Sequence, residues 1–172
     1  MIKQVKNTHF LSDSIKLLER PTTVLNYCSS PSLLVPIGVT CTWKCEGCIN
    51  KQHSDNYSYI SVTIDEIIEQ YRKNTIVESI VFAGLEPLDN LTQLYKTIIE
   101  FRRYFIDDIV IYSGYEVDEL LKLEEYDTFL NLWSINGIIL KLGRYIPNGT
   151  KIYNNDLKIY LQSDNQYTIR SF

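Results

Sequence analysis

The chain has 172 residues, 45% of them hydrophobic, and a formal net charge of −4. That is enough chain for one domain of ordinary soluble composition to bury a core without disulfides. A mildly acidic balance argues against a general nucleic-acid binder. The sequence shows no charged-then-apolar leader and no apolar run long enough to span a bilayer, so a cytoplasmic protein is expected, without membrane or nucleic-acid partners.

In chain order, residues 1–30 read as an N-terminal arm. Within it Ile15, Leu17 and Leu18 suggest a short helix that Pro21 would stop. Leu33 to Val39 reads as a strand running into a cysteine-bearing loop, which continues through the polar stretch from Asn50 to Ser58. Thr63 and Glu66 form a capping-box pattern ahead of Ile64, Ile67, Ile68 and Tyr71 at helical spacing. Ser79 to Ala83 is a short apolar strand, and Gly84 to Asn90 turns the chain into a second helix carrying Leu91, Leu94, Tyr95 and Ile98. Another strand, Ile109 to Tyr112, leads to the turn Ser113-Gly114. A third helix follows, with Glu116, Asp118 and Glu119 at its positive end and Val117, Leu120 and Leu121 inward. Ile138 to Leu140 gives a further strand. Beyond it, alternation at Leu157, Ile159 and Leu161, a turn over Ser163 to Gln166, and alternation at Tyr167 and Ile169 suggest a C-terminal hairpin.

Continuous apolar strands alternating with helices imply an α/β fold with a parallel sheet. The expected organisation is a single domain: an arm (1–30), a β/α core (31–142) and a hairpin region (143–172). Ligands of such sheets bind at the carboxyl ends of the strands. The cysteine loop, the Gly84 turn and the Ser113 turn all follow strands, so all three should open on one face.

The most informative segment is Cys41-Thr-Trp-Lys-Cys45-Glu-Gly-Cys48. Three thiolates on one short loop can hold three irons of a [4Fe–4S] cube and leave the fourth open to a substrate. Zinc held by the three cysteines and His53 is a competing reading. A closed electron-transfer cluster would need Cys28 as fourth ligand, although a lone Cys28 is more simply a buried thiol. Grouped free thiols by chance fit least, since an exposed set would oxidise. Gly84-Leu-Glu-Pro87 could bring backbone close to an amino-acid ligand, with Glu86 adding charge; a plain turn explains it equally. Tyr112-Ser-Gly-Tyr115 reads on its own as an ordinary turn. With two histidines, His9 and His53, the chain offers few candidates for general acid–base catalysis, and no catalytic triad, carboxylate pair or phosphate loop stands in a supporting context.

Taken together, these motifs resemble the radical S-adenosylmethionine superfamily. Cys41-x3-Cys45-x2-Cys48 matches its signature, and Gly84-Leu-Glu-Pro87 resembles its Gly-Gly-Glu-Pro turn. More narrowly, the chain is similar to the activating proteins of anaerobic ribonucleoside-triphosphate reductases. The similarity rests on Cys45-Glu-Gly-Cys48 followed by Asn50, Tyr112-Ser-Gly-Tyr115 followed by Glu119-Leu120, Gly143-Arg-Tyr145, and Ser163-Asp-Asn-Gln166, in the family's order. The chain departs at Leu85, where the family has a second glycine, and at Leu142, where it has an aspartate.

The resemblance implies a partial (β/α) barrel and a [4Fe–4S] cluster on Cys41, Cys45 and Cys48, with no catalytic residue beyond these ligands. It implies S-adenosylmethionine held by the backbone of Gly84, Leu85, Glu86 and Pro87 at its methionine end. Gly47 and Ile49, flanking Cys48, would contact the adenine, and Ser113 would approach the ribose. It further implies a glycyl-radical reductase as protein partner and a flavodoxin or ferredoxin as electron donor. An activase for a different glycyl-radical enzyme is the alternative within the class.

Overall fold

The computed structural model describes residues 9–56 and 58–171; the first eight residues of the expected arm lie outside them. The chain forms β1 (Ser14–Leu17), β2 (Thr22–Val24), β3 (Ser32–Ile37), α1 (Lys51–Asn56), β4 (Ile60–Thr63), α2 (Ile64–Lys73) and β5 (Ser79–Gly84). A 3₁₀ turn (Pro87–Asn90) leads to α3 (Leu91–Tyr104), β6 (Asp108–Tyr112), α4 (Val117–Leu120), α5 (Tyr126–Trp133) and β7 (Ile138–Leu142). β8 (Ile152–Asn154), β9 (Ile159–Leu161) and β10 (Tyr167–Arg170) follow.

The fold is mixed α/β around a mostly parallel central sheet. Its order is β10-β7-β6-β5-β3-β1-β4, with β2 also paired to β3. β3, β5, β6 and β7 are mutually parallel and in regular register, from Ser32 opposite Ser79 to Ile37 opposite Gly84 in the first pair. β1, β2, β4 and β10 add antiparallel pairings.

Alternation along the parallel strands divides the core in two. Leu33, Val35, Ile37, Ile80, Phe82, Ile109, Ile111, Ile138 and Leu140 face the helices. Leu34, Val81, Ala83, Val110 and Ile139 face the other way, under Cys28, Leu157 and Leu161. The crossover helices therefore share one face of the sheet, and loops and the small β8–β9 pair cover the other. α2 shows how the sequence sets this up. Thr63 Oγ1 accepts from the Glu66 amide while the Glu66 carboxylate accepts from the Thr63 amide, fixing the helix start. Ile64, Ile67, Ile68 and Tyr71 are then buried, each aliphatic contributing about 1.5–3 kcal/mol.

Several expectations are corrected. Ser14–Leu17 is a strand, because Ile15 and Leu17 both point inward at period two and pair with β4 and β3. The polar stretch after the cysteines contains α1, and β4 follows it. In α4 only Leu120 is buried; Val117 and Leu121 are exposed, because the helix is a single turn. α5 has no counterpart in the sequence reading. The expected C-terminal hairpin does not form across Ser163 to Gln166. Instead β9 pairs with β8, and β10 leaves to join β7, so the two alternating segments serve different sheets.

Candidate metal centre and adjoining pocket

The cysteine loop leaves the carboxyl end of β3. Close beside it, Gly84 ends β5 and Ser113 follows β6, so the three loops do share one end of the sheet. The first two are joined by backbone hydrogen bonds: the Leu85 amide donates to Ile37 O (2.9 Å), and the Glu86 amide to Thr40 O (3.2 Å). Gly84 sits at φ +100°, and a Cβ there would lie 2.5 Å from Ile37 O, so only glycine lets β5 approach β3 this closely.

Cys41, Cys45 and Cys48 are half-buried free thiols. The last two close a turn in which the Cys48 amide donates to Cys45 O at 3.3 Å, with Gly47 at φ +68°. The Cys41 thiol donates to Trp43 O at 3.2 Å. Burial pushes this thiol up to about 12, and the nearby carboxylates of Glu86 and Asp89 add to the effect. A bare Cys41 thus stays protonated, and a metal's positive charge is what would stabilise its thiolate. Among the described residues no three His, Cys, Asp or Glu side chains are drawn together into a compact metal-binding group. The donors available on the loop are three soft thiols, which suit iron–sulfur ligation.

Cys28 is at the other end of the sheet. Its sulfur lies 2.9 Å from Ser32 Oγ and 3.0 Å from Ser79 Oγ, at the first residues of β3 and β5. Five strand steps, roughly 16 Å, separate that point from the end of β3. Cys28 is a buried thiol and is out of reach as a fourth ligand of this cluster.

Two carboxylates bind the cysteine loop to its neighbours. Buried Glu86 accepts from Trp43 Nε1 (3.0 Å), the Gly114 amide (2.8 Å) and the Leu88 amide (3.1 Å). Burial raises its carboxyl to about 7, against the opposing effect of the Gly114 and Leu88 amides. Asp89 accepts from the Thr42 amide (2.6 Å), Thr42 Oγ1 (2.8 Å) and Tyr115 OH (2.9 Å). A hollow of about 900 Å³ opens on this flank, beside Cys41, Trp43, Asp89 and Tyr115.

On the other flank lies a hollow of about 490 Å³, on the sheet face away from the helices. Gly47, Cys48, Ile49, Gly84 and Leu85 line it together. Glu86, Pro87 and Ser113 do not. Glu86 turns to Trp43, buried Pro87 opens the 3₁₀ turn, and Ser113 Oγ accepts from the Tyr115 amide (3.0 Å). Asn50 Nδ2 donates to Gly84 O at 2.6 Å, tying the end of the cysteine loop to the pocket wall.

Tyr27 and Lys141, which the sequence did not single out, also line the hollow, as do Tyr112 and Gln166, which it offered only as parts of motifs. Lys141 is the charged member of that lining. It is 6% exposed, its Nζ donates to Gly143 O (3.2 Å), and burial lowers its ammonium to about 8. A lysine inside the apolar run Ile138–Leu142 was the available signal. Gln166 Nε2 donates to the same carbonyl (3.3 Å), and its Oε1 accepts from the Gln162 amide (3.1 Å), fastening β9 over the hollow.

Residues 35–163 match the sequence profile of a 4Fe-4S single cluster domain, three quarters of the chain. The chain belongs to the 4Fe-4S single cluster domain family. The match spans the cysteine loop and the pocket-lining residues from Gly47 to Gln162. No curated protein and no solved structure matches the chain. For this 4Fe-4S domain the zinc reading is not favoured, because the family is an iron–sulfur one. No helix among the described residues is long and apolar enough to cross a membrane.

Proposed function

We propose that this 4Fe-4S domain is a radical S-adenosylmethionine enzyme, the activator of an anaerobic ribonucleoside-triphosphate reductase. The observation that carries the reading is the 490 Å³ hollow, in which the third cysteine, the Gly47 turn, the Gly84-Leu85 strand end and a buried lysine meet. Its size is within the range of small-molecule sites. Helices on one sheet face and a ligand-sized hollow on the other also suit a partial (β/α) barrel, the architecture this reading expects.

Cys41, Cys45 and Cys48 would hold the cluster. When bound and reduced by an external donor, it would supply the one electron that cleaves S-adenosylmethionine to methionine and a 5′-deoxyadenosyl radical, and that radical would become 5′-deoxyadenosine by taking a hydrogen atom from a glycine of the partner. The chain's own residues bind, orient and shield. Lys141, itself buried, would offer an ammonium to the ligand's carboxylate, a charge-assisted contact. The Gly84 and Leu85 backbone would hold the methionine end, with no side chain at Gly84 to block its approach. Gly47 and Ile49 would contact the adenine. Tyr27, Tyr112 and the β9 segment held by Gln166 wall off solvent on the sheet side. Ile49 (82% exposed) and Tyr160 (63% exposed) leave an apolar rim that a large protein substrate would cover.

The reading expects a cytoplasmic enzyme reduced by a flavodoxin or ferredoxin. The test is to mix the anaerobically reconstituted protein with S-adenosylmethionine, reductant and the reductase. A glycyl EPR signal on the reductase supports it. Cofactor cleavage without that signal would leave a radical enzyme with another partner, such as a different glycyl-radical enzyme.

A further inference from the structure

Trp43 lies between the first two cysteines and is half-buried. Residues from three other strand ends converge on its indole. Its Nε1 donates to Glu86, after β5, at 3.0 Å. Tyr115, after β6, packs edge-on with ring centroids 4.8 Å apart. The Arg144 guanidinium, after β7, lies 3.8 Å from the ring centroid, within cation–π range. Arg144 is itself paired with Glu119, and its carbonyl accepts from Asn165 Nδ2 at 2.9 Å.

Gly114 shows how closely this packing is fitted. A Cβ at that position would lie 2.4 Å from Trp43 Cδ1 and 2.7 Å from Nε1, so the turn after β6 accepts no side chain. The Gly114 amide also donates to the Glu86 oxygen that Trp43 uses. Meanwhile the Trp43 carbonyl is the acceptor of the Cys41 thiol. One residue thus links the first cysteine to β5, β6 and β7. An exposed loop tryptophan kept only for local packing needs neither a fully buried carboxylate nor a glycine cut to its edge.

We infer that Trp43 is a positioning residue for the cluster: through Glu86, Tyr115 and Arg144 it fixes the Cys41 end of the loop to three neighbouring strand ends. This rests on the iron–sulfur assignment and is independent of the activase role. Partners that orient metal ligands typically matter about 10–100-fold in metal affinity.

The experiment uses Trp43→Phe, which keeps a ring but removes the N–H, alongside Glu86→Gln, the double variant and Gly114→Ala. Each full-length protein is reconstituted anaerobically with iron and sulfide. Cluster retention against a chelator and the cluster EPR spectrum are recorded, with urea unfolding of the apo-proteins in parallel. Retention should fall about tenfold in Trp43→Phe, and the EPR spectrum should shift. The double variant should lose no more than the worse single variant, because both remove one contact. Gly114→Ala should reproduce the defect with Trp43 and Glu86 intact, which guards against a variant that fails to fold. Unchanged retention and spectrum in Trp43→Phe, additive losses in the double variant, or losses that merely track apo-protein stability would overturn the inference. Wild-type protein that assembles no cluster would instead defeat the iron–sulfur reading itself.

Discussion

Replacing Gly84 by alanine tests the geometry on which the whole site depends. Gly84 is the last β5 residue in register with β3, opposite Ile37, and its φ is +100°. An L-residue held there costs about 1–3 kcal/mol in backbone strain. The new methyl would meet Ile37 O at 2.5 Å, Ile37 N at 2.8 Å and Pro36 C at 2.9 Å. All three are backbone atoms inside a sheet, so relief requires β5 to move away from β3, and overpacking of this kind costs about 1–3 kcal/mol. A combined loss of about 3 kcal/mol is expected, roughly a hundredfold in the folded-to-unfolded ratio. That is tolerable for a domain with a stability of about 5–15 kcal/mol. With a urea slope of about 2 kcal/mol per molar, the apo-protein midpoint should fall by about 1.5 M. The Asn50 bond to Gly84 O should loosen with it, weakening ligand binding in the hollow. A midpoint within about 0.3 M of wild type, with ligand binding intact, would refute the reasoning.

Other substitutions separate the roles of the remaining groups. Cys28→Ser should leave iron content unchanged and alter stability by less than about 1 kcal/mol, since a hydroxyl can replace the thiol between Ser32 and Ser79; cluster loss on metal analysis would contradict its placement. Lys141→Met should keep the cluster but weaken S-adenosylmethionine binding about 10–100-fold in anaerobic calorimetry; equal affinity would remove Lys141 from the ligand site. Glu86 carries a pH signature. Its folded carboxyl is raised from 4.5 to about 7, so the folded state holds the extra proton between these values, and stability falls as pH rises through that window. Urea midpoints of wild type minus Glu86→Gln should therefore decline from pH 4.5 to 7, and a difference that rises would reverse the assignment.

The parallel strands were legible because β3, β5, β6 and β7 are short apolar runs, and α2 because Thr63 and Glu66 announce its start. The shared face of the three loops followed from the parallel order alone. Short polar elements were not legible. β1 has two inward residues, a pattern too brief to distinguish period two from a helical turn, and α1 has no apolar residues. In the C-terminal region the alternation was visible but its partner was not. Nothing local tells β10 to cross to β7, about 25 positions upstream, in place of the adjacent β9. The site was legible where chemistry clusters in sequence, as in the cysteine loop. The Glu86 contact to Trp43 spans 43 positions, and Lys141 reaches the pocket only because β7 lies beside β6.

The central claim is that the third cysteine and the adjoining hollow serve reductive cleavage of S-adenosylmethionine. It is tested most directly by reconstituting the full chain anaerobically, adding S-adenosylmethionine and a strong reductant, and measuring 5′-deoxyadenosine. It should form in protein holding about four irons per chain, and be lost when Cys41, Cys45 or Cys48 is changed to alanine. A fully loaded cluster that yields no 5′-deoxyadenosine would contradict it.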